Sequence, residues 1–231
     1  MRYALRALRL VTLFLGALFL TACGEQVSWN QKIAINVDTP DGLKSGSSVT
    51  RAIFAKKREG FLFNPPEARG VGSAVSGEAV VVDLGEGQYL FGLLGAGGTA
   101  QCAIDWGTDR WWPAGARNVS RHAGVVPLEG SCRPRLVTFD DIDDPASVKS
   151  VDADDFAASF GADYALQSIT LEITNEPTTE GKVEAVLEWL ADLGRQQGNL
   201  KGKPPSGLVA DQADPAIWMI GPSDFSTRLF D

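Results

Sequence analysis

Seven aspartates crowd between residues 140 and 155: Asp140, Asp141, Asp143, Asp144, Asp152, Asp154 and Asp155. Carboxylate oxygens at that density are the chemistry of a hard cation such as calcium. The spacing fails the EF-hand loop, because counting from Asp152 puts Ala157 where the turn needs glycine and Asp163 where the loop needs glutamate. Helix capping explains the same residues without an ion: Asp144 precedes Pro145, and Asp152 and Asp155 precede an apolar run. No metal site and no cofactor is therefore expected. His122 is the sole imidazole. A serine or cysteine nucleophile needs a base beside it, yet Arg121 and Ala123 supply no motif, and neither Gly-X-Ser-X-Gly nor Ser-X-X-Lys occurs. The expectation is an ordinary loop histidine and no catalytic residue. Gly95-Ala96-Gly97-Gly98 lacks the completion of a phosphate loop. Paired carboxylates for glycoside cleavage depend on a three-dimensional separation that no spacing here selects. Trp106, Trp111 and Trp112 remain as candidate binding residues, able to stack on sugar rings or anchor a protein interface, against the plainer role of filling a core.

The amino-terminal segment decides where such chemistry would operate. Arg2, Arg6 and Arg9 lead into an apolar run from Leu10 to Leu20, which ends at Leu20-Thr21-Ala22-Cys23. This is the three-part layout of an export signal, and the run is shorter than the roughly 20 apolar residues that a spanning helix needs. Leu20-Thr21-Ala22-Cys23 resembles the lipobox of bacterial lipoproteins. That resemblance implies that Cys23 carries a diacylglycerol, becomes the new amino terminus after cleavage, and is often acylated again. Several acyl chains on one residue give durable anchoring, since each buried methylene contributes about 0.8 kcal/mol. Gly24 follows, where aspartate would resemble an inner-membrane retention signal, so the resemblance implies the outer membrane.

Cleavage leaves residues 23–231, enough for one large domain or two small ones. The net charge of −8 becomes three units more negative without the signal arginines, which argues against nucleic acid and anionic lipid surfaces as partners. Cys102 and Cys132 remain in an oxidising compartment, and a bridge between them is expected. A loop of that length stabilises a fold by about 3 to 4 kcal/mol in the chain-entropy model. Redox chemistry would call for Cys-X-X-Cys, and two thiols with one imidazole make an incomplete zinc set.

Alternation over Lys32–Val37 predicts a strand, Thr39-Pro40-Asp41-Gly42 a turn, and Ser48–Phe54 a second strand. Glu78–Leu84 and Gln88–Leu94 form a hairpin around Gly85-Glu86-Gly87. Further on, Asp144-Pro145 and Asp152 open helical turns, and Gly161 stops the second. Ser168–Thr174 alternates as a strand. Val183, Val186, Leu187, Leu190 and Leu193 mark one helix from Thr179 to Leu193, ended by Gly194. Residues 198–207 are expected as a mobile linker before an apolar segment, Ala216–Ile220.

The fold class expected is α+β: an N-terminal β-sandwich-like part of immunoglobulin or transthyretin kind, followed by a smaller part of helices packed on one or two strands. Val37–Gly46 resembles the opening of transthyretin-like carrier and adhesion modules. The boundaries are 1–22 for the signal, 23–31 for the lipidated tether, 32–139 for the β-rich domain and 140–231 for the C-terminal part. Arg135-Leu136-Val137-Thr138-Phe139-Asp140-Asp141-Ile142, with the elements that follow it to Leu190, resembles a group of proteobacterial envelope lipoproteins of no assigned activity. The function expected is non-catalytic binding or a structural role in the periplasm or at the cell surface. The membrane would be engaged through the lipid, with an envelope protein or a glycan as partner. The alternative is a cell-wall hydrolase that uses carboxylates. Changing Cys23→Ser should abolish incorporation of labelled fatty acid; unchanged labelling would remove the basis for the anchor.

Overall fold

The computed structural model describes residues 26–56, 71–95, 99–104, 113–196, 198–203 and 214–228. Cys23 and the tryptophans Trp106, Trp111 and Trp112 lie outside those residues. Val27–Phe54 and the chain from Ser73 onward form one compact unit.

Alternation dictates the first strand. In β1 (Gln26–Thr39) every second residue from Trp29 to Val37 is buried, including the polar Gln31, whose carboxamide oxygen accepts the Trp29 indole N–H at 3.1 Å. The Thr39 hydroxyl donates to the Gly42 carbonyl at 2.7 Å and closes the turn into β2 (Gly42–Lys56). Then follow β3 (Val71–Ser76), β4 (Val80–Gly85) and β5 (Gln88–Gly92). Glu86 and Gly87 both take positive φ, 52° and 77°, the backbone twist that a two-residue hairpin loop requires. Two short helices come next, α1 (Thr99–Ala103) and α2 (Ala114–Ser120), then β6 (Val125–Pro127), β7 (Leu136–Phe139) and β8 (Val148–Val151). The chain ends with α3 (Ala157–Phe160), β9 (Ala165–Thr174), α4 (Lys182–Val186), α5 (Leu190–Gln196) and single 3-10 turns at Pro215–Met219 and Pro222–Asp224.

The strands form two sheets, ordered β3-β2-β1-β9-β6 and β4-β5-β7-β8. The fold is a sheet-rich α+β arrangement with few helices. Strands from both sides of residue 140 share each sheet: β9 lies antiparallel to β1, pairing Ile33 with Leu171 and Ile35 with Ile169, while β8 edges the second sheet beside β7. One core lies between the sheets, where Ile33, Ile35 and Val37 meet Val80, Val82, Leu84 and Leu90. Successive side chains of a strand point to opposite faces, so Phe91, next to Leu90, enters a second core with Val137, Leu187, Leu190 and Phe225. The second sheet is thus buried on both sides, by the first sheet and by the C-terminal helices and turns. Backbone approaches backbone at Gly46, where a Cβ would stand 2.0 Å from the Val81 carbonyl oxygen. Only glycine fits this crossing of β2 over β4.

Cys102, in α1, and Cys132, in a 3-10 turn at Gly130–Cys132, form a disulfide with their Cα atoms 5.4 Å apart. The bridge brackets the stretch that carries α2, His122 and β6.

Two expectations are corrected. The helix from Thr179 to Leu193 is two short helices interrupted at Leu187–Trp189, and Gly194 lies buried inside α5 instead of ending it. The interruption lets Leu187 and Leu190 enter the core while Trp189 turns to donate its indole N–H to the Ile142 carbonyl at 2.8 Å and to pack edge-on against Phe139. A straight helix would carry Trp189 away from that row. Residues 198–203, expected as part of a linker, are docked: Leu200 is buried, its N–H bonds to the Ile220 carbonyl, and the Asn199 amide bonds to the Trp218 carbonyl.

Candidate functional site

A cleft of about 400 Å³ opens at the end of the first sheet where β1 begins and β9 finishes. Strand geometry supplies three sides of it. Ser28 and Asn30 flank Trp29 on β1, Arg51 stands on β2, and Thr174 and Asn175 end β9 across from Asn30, which pairs with Thr174. The fourth side is the C-terminal end of α2, where the N–H groups of Arg121 and His122 bond back to Asn118 and Val119 and so set both side chains at the rim.

The lining is unusual for an acidic chain. Among the described residues it contains Arg51, Arg121 and His122 and no carboxylate. Arg51 donates to the Ser28 hydroxyl at 3.0 Å, which orients its guanidinium without neutralising it. Arg121 has no ion-pair partner among the described residues. The nearby Glu176 is occupied by Lys32 at 2.9 Å, while its backbone carbonyl accepts the Asn30 amide. The rest of the rim is carboxamides and hydroxyls, and the apolar lining is limited to the edges of Trp29, itself 5% exposed and stacked on Phe54, and Ile173. Such a surface can hold an anion with hydrogen-bonding groups around it. Among the described residues, the Ser120 hydroxyl donates to the Arg117 carbonyl and the Ser28 hydroxyl accepts from Arg51.

Carboxylates gather elsewhere. Glu78 is 1% exposed. Its side chain accepts the N–H groups of Lys182 at 3.0 Å and Val183 at 3.3 Å. Burial pushes its carboxyl above the ordinary value, against the pull of these N–H groups, and the charge of Glu184 adds to the rise. Glu184 accepts the Ser226 hydroxyl at 2.7 Å, and its other oxygen is buried without a partner among the described residues. Asp224 is also raised by burial, and accepts the Gly221 N–H at 2.8 Å. Glu78 faces a small cavity lined by Gln31, Ser48 and Thr50 together with apolar side chains, whereas Asp224 borders an adjoining open depression beside Ser73 and Thr227, with Val75, Leu94 and Gly95 between the two. Neither cavity is lined by both raised carboxyls.

Among the sequence candidates, the aspartate cluster caps turns: the carboxylates of Asp141, Asp144, Asp152 and Asp155 accept backbone N–H groups two or three residues on. Asp140 pairs with Lys149 and Asp154 with Arg133. His122, expected as an ordinary loop residue, is brought to the cleft wall. Arg51 and Arg121 carried no signal in the sequence, because their convergence depends on the β1–β2 and β1–β9 pairings. No family model matches the chain, and no curated protein or solved structure matches it either.

A carboxyl held above its ordinary value keeps a proton in the folded chain that the unfolded chain has released. The resulting stabilisation is complete below the ordinary carboxylate range and is lost as pH rises towards the folded value. Glu78→Gln should therefore flatten part of the fall in stability as pH rises above the ordinary carboxylate range. Urea unfolding across that rise in pH checks this; parallel profiles for variant and parent would contradict it.

Proposed function

We propose that this chain is a lipid-anchored cell-envelope protein that holds a partner in the periplasm or at the cell surface without transforming it. The observation that carries the proposal is the cleft at Arg51, Arg121 and His122: cationic and amide-lined, set on a braced sheet end, and free of carboxylates among the described residues. Anchoring follows from the lipobox at Cys23, and Gly24 favours the outer membrane. The packing of two antiparallel sheets supports a sandwich of the immunoglobulin or transthyretin kind. A carboxylate hydrolase has less support, because neither cavity is lined by both Glu78 and Asp224 and each is engaged by backbone N–H groups.

In-cell crosslinking of the anchored protein, with mass analysis of both protein and glycan adducts, tests the proposal. A specific adduct that disappears in Arg51→Ala/Arg121→Ala is the expected result. Equal capture by parent and variant, or none by either, would contradict it.

A further inference from the structure

We infer that the cleft takes an acidic saccharide, a hydroxyl-rich ring bearing one carboxylate or phosphate; this rests on the binding role proposed above and names its ligand. Three observations carry it. Two guanidinium groups converge from separate elements, Arg51 from β2 and Arg121 from the end of α2, with the His122 ring beside them. Arginine presents a planar fork of donors matched to carboxylate or phosphate oxygens, and Arg51 is already oriented by Ser28. Around this anion pole stand the Asn175 carboxamide, which can donate and accept, the Asn30 carboxamide, which gives one amide hydrogen to the Glu176 carbonyl and keeps the other, and the Ser120 hydroxyl, which donates to the Arg117 carbonyl and can accept from a ring hydroxyl.

The same lining disfavours the other classes of ligand. A peptide bound by side-chain anchors, or an acyl chain, needs apolar pockets. The apolar contribution here is one buried tryptophan edge and Ile173. Nucleic acid offers an anion too, but the net charge of −8 opposes a long polyanion while leaving a single local anion well served. The volume of about 400 Å³ lies in the range of small-ligand sites and accommodates a short saccharide.

His122 is the one histidine of the chain, so its imidazole proton signal reports on the cleft without assignment work. The untagged mature protein in detergent micelles would be titrated with a glucuronic acid oligosaccharide, glucose 6-phosphate, maltose and inorganic phosphate. Saturable displacement of the His122 signal by either sugar acid is the expected result, with maltose and inorganic phosphate each weaker by about tenfold or more, the worth of one charge-assisted hydrogen bond. Which acid binds more tightly separates a carboxylate source from a phosphate source. Arg51→Ala and Arg121→Ala should each weaken binding by a similar factor, and Arg51→Lys, which keeps the charge but loses the fork, should recover part of it. Unchanged amide dispersion would show that the variants fold. Equal binding of maltose, or of inorganic phosphate alone, would overturn the acidic saccharide while leaving a binding role intact. So would absence of any saccharide binding in a protein that still captures an arginine-dependent partner in cells. Absence of both would overturn the two proposals together.

Discussion

Glu78 is a carboxylate, 1% exposed, at the meeting of four stretches of chain, and the architecture depends on how its neighbours satisfy it. Its backbone carbonyl accepts the Ser48 hydroxyl of β2 at 2.7 Å, and its residue bridges to Ser226 near the chain's end. Its side chain receives the first N–H groups of α4, which an isolated short helix would leave to water. Around it Ala79 bonds to Phe225, Thr179 to Val49, and Lys182 reaches the Ser47 carbonyl. A buried carboxyl without such partners costs about 1 to 3 kcal/mol, and more when it is charged. With them it becomes a constraint on register, because a shift of β2, β4, α4 or the C-terminal turns would each strip a partner from the same group.

That junction and the close crossing at Gly46 fix the two sheets at one end, and the disulfide between Cys102 and Cys132 ties α1 to the turn that leads into β7. The cleft is a consequence of this bracing. Its arginines and histidine come from elements remote in sequence, and only the β2-β1-β9 order together with the seating of α2 brings them together. The net negative charge of the chain gives an anionic ligand no long-range attraction by the whole surface. Recognition therefore rests on contacts within the cleft.

Much of the scaffold could be read from the sequence because it obeys local rules. Period-two burial marked β1 and β9, the Glu86-Gly87 turn marked the hairpin, Asp144 ahead of Pro145 marked a capped turn, and the compartment suggested the cysteine pair. The misreadings share one cause, which is tertiary context overriding a local pattern. The stripe from Val183 to Leu193 is helical by periodicity, yet Trp189 finds better partners in Phe139 and Ile142 once the helix breaks. Residues 198–203 are rich in glycine and lysine, yet Leu200 and Asn199 supply docking contacts that composition does not reveal. The cleft was least legible, since Arg51 and Arg121 each look like ordinary solvated charges until the strands pair. Glu78 likewise reads as a strand-edge residue, and nothing nearby in sequence announces Lys182 or Ser226 as its partners.

Amide hydrogen exchange on Glu78→Ala, compared with the parent, tests most directly whether one buried carboxylate holds the structure together. The account predicts a joint loss of protection at Lys182 and Val183 in α4, at Ala79 in the stretch leading into β4, and at Thr227 near the chain's end, with the β1–β9 pairing retained. Faster exchange confined to residues adjoining position 78, with α4 and the C-terminal segment unchanged, would contradict it.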